Sequence, residues 1–302
     1  MELIFLGTSS ALPTRRRNHS AIAMKAFGEI ILLDCGESTQ RQMSLARLSP
    51  MKINKIFITH FHGDHFLGLP GLVQSMAFRG REKPLHVFGP IGTSQIIEYI
   101  KKLGYFSLNF PIYPHEINSG LIVDEEDYRV CCIPTEHTIP NVAYRIEEKR
   151  RPKFLKEKAL ELGLKPGPAF GKLQAGIPVK LGDKTIRPEE VLGRNRKGRQ
   201  IVYSGDTSPC SNIIKLSHGV DVLIHESTFD KSYKNRAVET GHSTATDAAE
   251  IAKAARVKKL LLTHISTRYQ DTDLLEKEAQ SVFENSQLAQ DLMVVEVTRS
   301  GD

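Results

Sequence analysis

Apolar residues occur along the chain in short runs that are typical of buried strands, and several of these runs end in polar or charged residues. The runs predict strands at residues 2–6, 21–25, 30–34, 55–58, 85–88, 110–116, 128–133, 142–146, 200–204, 221–224, 259–262 and 292–297. Helical spacing of apolar residues lies between many of them, in segments that begin near residues 37, 66, 94, 244 and 274. Strands that alternate with helices predict an α/β protein.

Positive charge is concentrated in one segment of the 302-residue chain. The whole chain has a net charge of +6, whereas residues 149–199 hold 15 Lys and Arg against 5 Asp and Glu, a net of +10, which leaves 6 − 10 = −4 for the remainder. The segment is rich in Gly and Pro and has few long apolar runs, so we expect it to bury little of itself. It is predicted to be an inserted arm that projects from the core, with a short helix at 154–162 and a hairpin around Gly182; a flexible linker is the alternative.

The four cysteines, Cys35, Cys131, Cys132 and Cys210, have no C-x-x-C spacing. They are therefore interpreted as buried free thiols in a reducing cytosol. The chain begins without a basic leader segment, and it contains no run of about eighteen apolar residues. We expect a soluble, cytoplasmic protein with no membrane partner.

Three histidines and an aspartate follow the predicted strand at 55–58, in the stretch Thr59-His60-Phe61-His62-Gly63-Asp64-His65. Imidazole and carboxylate groups are ligands for zinc-type divalent metals. His60 and His62 point to one side of an extended chain, whereas Asp64 and His65 follow the turn at Gly63 and can face a second ion. The alternative is a polar turn whose histidines are merely solvated.

Later strand ends add three more potential ligands, which gives seven: His60, His62, Asp64, His65, His137, Asp206 and His264. Seven ligands suit two metal ions. A carboxylate can bridge two ions that lie about 3.5 to 4 Å apart, and Asp206 is the candidate for that bridge. Each later histidine, taken alone, could instead be an ordinary surface or capping residue.

The H-x-H-x-D-H pattern at residues 60–65 resembles the signature of the metallo-β-lactamase superfamily. The resemblance implies a four-layer αβ/βα sandwich with a dinuclear metal site at the strand ends, here a single domain over residues 1–302 with the basic arm at 149–199 inserted into it. The superfamily pattern assigns His60, His62 and His137 to one ion. It assigns Asp64, His65 and His264 to the other, and it does not by itself imply a substrate.

Five further features narrow the resemblance, over essentially the whole length, to the ribonuclease Z family in its short prokaryotic form. They are Pro13-Thr14-Arg15-Arg16-Arg17-Asn18, the long insertion with Gly167-Pro168, His225-Glu226-Ser227-Thr228, Gly241-His242-Ser243-Thr244 and Ala289-Gln290-Asp291-Leu292. One motif departs from the family, since H-E-S-T replaces the usual H-E-A-T. The resemblance implies an endoribonuclease that removes the 3′ trailer from tRNA precursors, with a 3′-hydroxyl left on the tRNA and a 5′-phosphate on the trailer.

The same resemblance implies the cofactor and the catalytic groups. It implies two Zn²⁺ per subunit, with Mn²⁺ or Mg²⁺ as substitutes, which lower the pKa of a bridging water toward about 7 and polarise a phosphoryl oxygen. Asp64 would ligate one ion and hold the proton of that water. His242, oriented by Glu226, would protonate the leaving 3′-oxygen; the alternative is a structural His–Glu pair in the core.

The predicted partner is precursor tRNA, because the Lys and Arg side chains of the arm can neutralise its phosphates with little dependence on sequence. In the family the arm, here with Gly167 and Pro168, grips the tRNA elbow and acts across a homodimer. The residues predicted to contact RNA near the cleavage point are Arg15, Arg17, Arg268 and Tyr269. The alternatives are another hydrolase of this fold that acts on small phosphodiesters or thioesters, and a non-catalytic RNA-binding protein.

Overall fold

The computed structural model describes residues 1–194 and 196–299, with two seven-stranded sheets. The strands in chain order are β1 (Glu2–Gly7), β2 (Ala21–Ala26), β3 (Glu29–Leu33), β4 (Ile53–Phe57), β5 (Leu85–Gly89), β6 (Ile112–Glu116), β7 (Gly120–Asp124), β8 (Tyr128–Pro134), β9 (Val142–Glu148), β10 (Val179–Leu181), β11 (Lys184–Ile186), β12 (Gln200–Tyr203), β13 (Val222–Glu226), β14 (Lys259–Thr263), β15 (Ser286–Leu288) and β16 (Val294–Glu296). The first sheet has the order β16-β1-β2-β3-β4-β5-β6, and the second has the order β15-β14-β13-β12-β9-β8-β7.

Helices lie between many of the strands along the chain. In chain order they are α1 (Thr39–Leu45), α2 (Gly63–Phe66), α3 (Leu69–Phe78), α4 (Thr93–Lys101), α5 (Lys156–Glu161), α6 (Pro168–Gln174), α7 (Pro188–Val191), α8 (Ser211–Leu216), α9 (Lys234–Thr240), α10 (Ala245–Ala254) and α11 (Asp273–Val282). One apolar cluster joins the first sheet to α1, α3 and α4, and another joins the second sheet to α8, α10 and α11. No helix within 1–194 and 196–299 is long and apolar enough to cross a membrane.

The two sheets pack against each other through their inner faces. Phe57 of β4 stacks on Phe88 of β5 with ring centroids 4.8 Å apart, and the edge of Tyr144 from β9 meets Phe57 at 5.2 Å. The Tyr144 hydroxyl also donates a hydrogen bond of 2.6 Å to the carbonyl of Ile58. Both faces of the central strands are therefore buried, and the order of layers is helix, sheet, sheet, helix. This arrangement confirms the predicted αβ/βα sandwich.

Residues 125–128 and 148–198 form a second compact unit, described here by itself. It contains α5, α6, α7 and the β10–β11 hairpin, and the predicted hairpin around Gly182 is confirmed. Its apolar side chains form a small core whose buried members are Ala159, Leu164, Leu173, Ile186 and Val191. The expectation that this segment buries little of itself is wrong, because its apolar residues are widely spaced in sequence and meet only when the short helices fold.

The sequence predicted most strands to within a few residues, but it missed several short elements. Among them are β7, β15, α6 and α8. β15 has only three residues, which is too short to show a period of two. α6 follows Gly167 and begins at Pro168, a residue that suits the first turn of a helix but that also marks loops, so the surrounding Gly and Pro residues concealed it.

Candidate metal centre

Loops at the carboxyl ends of strands from both sheets carry the predicted ligands. His60 follows β4, His137 follows β8, Asp206 follows β12 and His264 follows β14. Gly205 precedes Asp206 with φ of 60°, and a Cβ there would lie only 2.7 Å from the Cβ of Thr59. Glycine is therefore required for this close approach, which brings Asp206 from the second sheet beside the ligands of the first.

Three imidazoles converge at one end of the cluster. The Nε2 of His60 lies 3.1 Å from the Nδ1 of His62, and the Nε2 of His137 lies 3.2 Å from the same atom. Metal–nitrogen bonds of about 2.0 to 2.1 Å that meet at a tetrahedral angle place neighbouring ligand atoms about 3.3 Å apart. The spacing of the three nitrogens is therefore that of ligands to one ion.

A second group contains Asp64, His65 and His264. The Nε2 of His264 lies 3.3 Å from Asp64 Oδ2, and the Nε2 of His65 lies 3.5 Å from the same oxygen. Asp206 lies between the two groups, because its Oδ2 is 3.2 Å from His264 Nε2 and 3.7 Å from His60 Nε2. The structure thus brings all seven predicted ligands together, in the two sets that the sequence pattern proposed and with Asp206 near both.

Most of the histidines in these sets have their second ring nitrogen held by a neighbouring group. The contacts are His60 Nδ1 to Thr59 Oγ1 at 3.0 Å, His65 Nδ1 to Asp34 Oδ2 at 2.7 Å, His137 Nδ1 to Gly241 O at 2.8 Å and His264 Nδ1 to Thr228 Oγ1 at 2.9 Å. Such contacts orient the rings and fix the tautomer of a ligand histidine.

The protonation of the first group favours metal ligation. Burial, the largest effect, lowers the pKa of His60, His62 and His137, and nearby histidines lower it further. Burial raises the pKa of Asp206, but the histidines around it more than offset this effect and hold the pKa well below its ordinary value. Neutral imidazoles and ionised carboxylates are the forms that bind metals.

The second group has an excess of negative charge. Burial lowers the pKa of His65, but Asp206, Asp34 and Asp64 more than offset this effect, and the pKa lies well above its ordinary value. The carboxylates thus favour a positive charge at this position. Two fully buried atoms here, Asp206 Oδ1 and His65 Nε2, are without a hydrogen-bond partner among the described residues. Converging ligands, unsatisfied atoms and negative charge fit a divalent cation.

His242 and Glu226 form an ion pair beside the ligands. The Nδ1 of His242 lies 2.8 Å from Glu226 Oε1 and 3.9 Å from Asp206 Oδ2. Burial lowers the pKa of His242, but the charge and hydrogen bond of Glu226 dominate and raise it to about 9. Glu226 itself is held by the Thr207 N–H at 2.9 Å and the Thr228 hydroxyl at 2.7 Å. His242 is therefore protonated near neutral pH and fixed in orientation.

The residues predicted to contact RNA occupy varied positions. Arg17 donates to the backbone carbonyls of Ser266 at 3.2 Å and Tyr269 at 2.8 Å, so its side chain fixes the loop after β14. Arg15 is exposed, and Arg268 is exposed with its guanidinium over two aromatic rings.

Within the second unit, Gly167 and Pro168 lie at the start of α6 and are exposed. RNA contact by Gly167 and Pro168, as by the residues after β14, stays a prediction.

Asp34 was not singled out from the sequence, although it is central to the site. It is fully buried directly after β3, and its Oδ2 also accepts a hydrogen bond of 2.7 Å from the Tyr203 hydroxyl. Asp34 and His264 both have left-handed backbones, with φ of 54° and 59°; this conformation is uncommon for residues other than glycine and is often found at functional sites. The available signal was a carboxylate at the end of a buried strand.

Comparisons with known proteins agree with this geometry. Residues 177–265 match the family model described as "Beta-lactamase superfamily domain", and residues 1–96 match the one described as "Anti-Pycsar protein Apyc1". The protein named Ribonuclease Z of Methanothermobacter thermautotrophicus is 58% identical over 297 residues, which cover 98% of this chain and 97% of that protein. The chain belongs to the ribonuclease Z family.

Other relatives extend the same match. The protein named Ribonuclease Z of Methanosarcina acetivorans is 48% identical over 299 residues, which cover 98% of both chains. The crystal structure of the short form of human tRNase Z superposes with a TM-score of 0.74 at 31% identity, covering 99% of this chain and 100% of that one. The ribonuclease Z resemblance and the metallo-β-lactamase fold are thereby confirmed.

Proposed function

We propose that this chain is a metal-dependent endoribonuclease that removes the 3′ trailer from tRNA precursors, leaving a 3′-hydroxyl on the tRNA and a 5′-phosphate on the trailer. The observation that carries the proposal is the His242–Glu226 pair, 2.8 Å apart, beside a cluster of seven ligands in a chain of the ribonuclease Z family. Such a pair supplies the proton that an alcohol leaving group needs, in addition to the metal ligands that the wider fold family shares.

The ligand set suits two zinc ions per subunit, with Mn²⁺ or Mg²⁺ as substitutes. His60, His62 and His137 would hold one ion, and three ligands from the second group would hold the other, with Asp206 shared between them. When bound, such ions polarise a phosphoryl oxygen and lower the pKa of water. The nitrogen-rich first group favours zinc over the oxygen-preferring Mg²⁺.

Asp64 and His242 would perform opposite proton transfers. Asp64 is largely buried, which raises its pKa, but the charges of His65 and His264 and the hydrogen bond from His264 outweigh this effect and hold the pKa far below the ordinary value. Its carboxylate is therefore available to accept a hydrogen bond from the attacking water. His242 is protonated near neutral pH. It would donate its proton to the 3′-oxygen of the departing tRNA, while Glu226 keeps the ring oriented and stabilises its charge.

The second unit would supply affinity for tRNA. Many of its Lys side chains are exposed, among them Lys165, Lys172, Lys180 and Lys184. Exposed ammonium groups bind closely spaced phosphates with a free energy that depends on salt and little on sequence. We therefore assign residues 149–199 as the tRNA-binding arm of a single catalytic domain.

The direct test uses a tRNA precursor with a 3′ trailer, incubated with the purified protein with and without a chelator. We expect one cut that leaves a 3′-hydroxyl on the tRNA, loss of cutting with chelator and recovery on addition of Zn²⁺. If the protein hydrolyses small phosphodiesters or thioesters but leaves the precursor intact, the proposal is wrong and another hydrolase activity of this fold replaces it. Binding without cutting in the metal-loaded protein would indicate a non-catalytic RNA-binding protein.

We also infer a homodimer. Phe78 and Tyr105 are 94% and 110% exposed, and both line one surface cavity of about 1060 Å³ formed around α1, α3 and the segment after α4. Large exposed aromatic side chains on one face are characteristic of a protein interface. Light scattering should give twice the subunit mass, and Phe78→Ser with Tyr105→Ser should shift the protein toward the monomer.

The family resemblance further implies that the arm of one subunit serves the site of the other. Mixed dimers test this proposal. One subunit carries Asp64→Ala, and the other carries glutamine at Lys165, Lys172, Lys180 and Lys184. If the arm acts across the dimer, mixing should restore tRNA processing. In the mixed dimer, the arm of the Asp64→Ala subunit is intact and would serve the intact site of the subunit with the altered lysines. Activity no higher than the sum of the two separate proteins would instead assign each arm to its own subunit.

A further inference from the structure

Two aromatic rings and a guanidinium form a compact group beside the candidate metal centre. The Cζ of Arg268 lies 4.3 Å from the ring centroid of Tyr233 and 4.8 Å from that of Phe229. The two rings are nearly parallel, with an interplanar angle of 24° and centroids 6.2 Å apart. Phe229 is buried, whereas Tyr233 is 44% exposed and Arg268 is exposed. A cation supported from beneath by a buried ring is thus presented to solvent.

The segments that carry this group are fixed by hydrogen bonds. The carboxylate of Asp230 accepts from the Ser232 N–H at 2.7 Å, which fixes the turn that carries Tyr233. The Asp230 N–H donates to the Tyr269 hydroxyl at 2.9 Å, which joins that turn to the loop of Arg268. Arg268 Nε donates to the Ser266 hydroxyl at 3.1 Å. The cation and its rings are therefore held in place before any ligand binds, which lowers the entropy cost of binding.

The position of the group relative to the reaction follows from its neighbour. The ring of Phe229 meets the ring of His242 edge to face, with centroids 6.2 Å apart. In the proposed reaction His242 protonates the 3′-oxygen that leaves with the tRNA. The group therefore lies on the tRNA side of the scissile bond, next to the nucleotide that supplies the leaving oxygen.

We propose that Arg268 and Tyr233, supported by Phe229, form a stacking platform for the base of the last nucleotide retained in the tRNA. This inference rests on the proposed function and adds a base-binding subsite to it. Unpaired RNA bases stack on aromatic rings and on arginine guanidinium planes. An isolated arginine would serve to bind a phosphate by charge alone, whereas a guanidinium held over two aromatic rings keeps a fixed position against which any of the four bases can stack.

The test compares three precursors in single-turnover cleavage at enzyme concentrations below the Kd. One precursor is complete, one lacks the base of the last tRNA nucleotide, and one lacks the base of the first trailer nucleotide. On the complete precursor, Tyr233→Ala and Arg268→Ala should each slow cleavage roughly 5- to 150-fold, the range of a lost base-stacking contact. On the precursor without the last tRNA base, the same variants should differ from the parent protein by less than about twofold, because no contact remains to lose.

Conservative variants separate stacking from charge. Arg268→Lys keeps the positive charge but loses the planar guanidinium, so we expect it to resemble Arg268→Ala on the complete precursor. Tyr233→Phe keeps the ring and should restore cleavage. Tyr99→Ala removes a 60% exposed tyrosine from α4 and is the matched control for a tyrosine truncation. Metal content and thermal melting confirm that each variant is folded, and Arg268→Lys still tests the platform if Tyr233→Ala does not fold.

The outcomes are distinct. If the variants slow the complete and base-deleted precursors equally, the platform does not bind that base. If the effect of the variants disappears instead on the precursor that lacks the first trailer base, the assignment of the platform to the tRNA side is wrong. An Arg268→Lys protein that cleaves as well as the parent would make Arg268 a phosphate contact. Failure of the unaltered protein to cleave the complete precursor would overturn the proposed function and this inference with it. Normal cleavage by the unaltered protein, with variants whose effect does not depend on the last tRNA base, would overturn this inference alone.

Discussion

The metal centre and the basic arm differ in how they use charged residues. In the candidate metal centre the carboxylates of Asp34 and Asp206 are buried. Asp34 lies 2.7 Å from His65, and Asp206 lies within 4 Å of several histidines. In the arm, lysines such as Lys165 and Lys184 remain exposed around a small apolar core. Burial strengthens electrostatic interactions and fixes the positions of the side chains, and catalysis at a metal site depends on both effects. Exposed lysines stay solvated until they contact RNA phosphates, and such contacts give an affinity for RNA that depends on salt. The comparison predicts that turnover and binding can be removed separately.

Of the substitutions considered, Asp64→Ala should reduce the rate of cleavage most. We expect tRNA cleavage to fall by roughly 10⁴ or more, because a metal ligand and its carboxylate charge are lost together, while the Kd for precursor tRNA changes only a few fold. Single-turnover cleavage, filter binding and metal analysis measure the three quantities. The matched control, Glu250→Ala, removes an exposed carboxylate of α10 and should change none of them. Equal loss of binding and turnover would mean that the metal centre, not the arm, holds the RNA.

His242→Ala should separate proton transfer from metal binding. His242 is outside the two predicted ligand sets, although it also lies close to Asp206 and His264. Because the seven predicted ligands are unchanged in the variant, we expect its metal content to equal that of the parent protein. We expect tRNA cleavage to slow by roughly 10² to 10⁴, the usual contribution of a positioned general acid. A p-nitrophenyl diester, whose leaving group needs no proton, should be slowed less. Equal slowing of the two substrates, or loss of metal, would remove His242 from the role of acid.

The clustering of the predicted ligands could be anticipated from the sequence because these residues directly follow strands. His60 to His65, His137, Asp206 and His264 all lie at strand ends. The carboxyl ends of neighbouring parallel strands meet at one edge within each sheet, and the packing of the two sheets brings the two edges together. The supporting groups could not be predicted in this way. Asp34 reaches His65, and Thr228 reaches His264, only through side-chain orientations that depend on left-handed backbone at Asp34 and His264.

The arm illustrates the opposite limit of sequence reasoning. The positive charge of the arm is a property of composition and follows directly from the sequence. Its small core joins Ala159 to Ile186 and Val191 across turns and short helices, and no period of 2 or 3.6 residues extends far enough to show it. The stacking of Arg268 on Tyr233 was concealed in a related way, because 35 positions separate the two residues (268 − 233) and no local pattern connects them.

Replacing four arm lysines should weaken binding while leaving the metal centre intact. The variant carries Lys165→Gln, Lys172→Gln, Lys180→Gln and Lys184→Gln, and its matched control carries Lys52→Gln, Lys102→Gln, Lys253→Gln and Lys277→Gln. All eight side chains are exposed. Each lost phosphate contact should flatten the log–log dependence of affinity on salt by about 0.7 to 0.9, so four contacts give about 3, and the Kd should rise about tenfold or more. The control has the same change in net charge.

Kd measured from 50 to 300 mM salt, over which the Debye length falls from about 14 Å to about 6 Å, distinguishes the two four-lysine variants. Identical slopes for the arm variant and its control would show that net charge alone, and not the position of the lysines, determines affinity. In that case tRNA binding would have to be assigned to another basic segment, such as the loop that contains Arg15 and Arg17.

Glu226→Gln should have the smallest effect on the cleavage rate at neutral pH. Its main effect should be a change in the dependence of the rate on pH. The proposed acid must carry a proton, so cleavage falls as the pH rises through the pKa of His242, which lies at about 9 in the native protein. Glutamine keeps a side chain of the same shape but removes the charge that raises this pKa. If the pKa returns to about 6.5, the protonated fraction at pH 7 falls to about a quarter, and the alkaline limb of the profile moves to lower pH. The log of the single-turnover rate from pH 5.5 to 10 measures this shift, which a purely structural role of Glu226 would not produce. An alkaline limb that stays near pH 9 in Glu226→Gln would assign the proton transfer to a group other than His242.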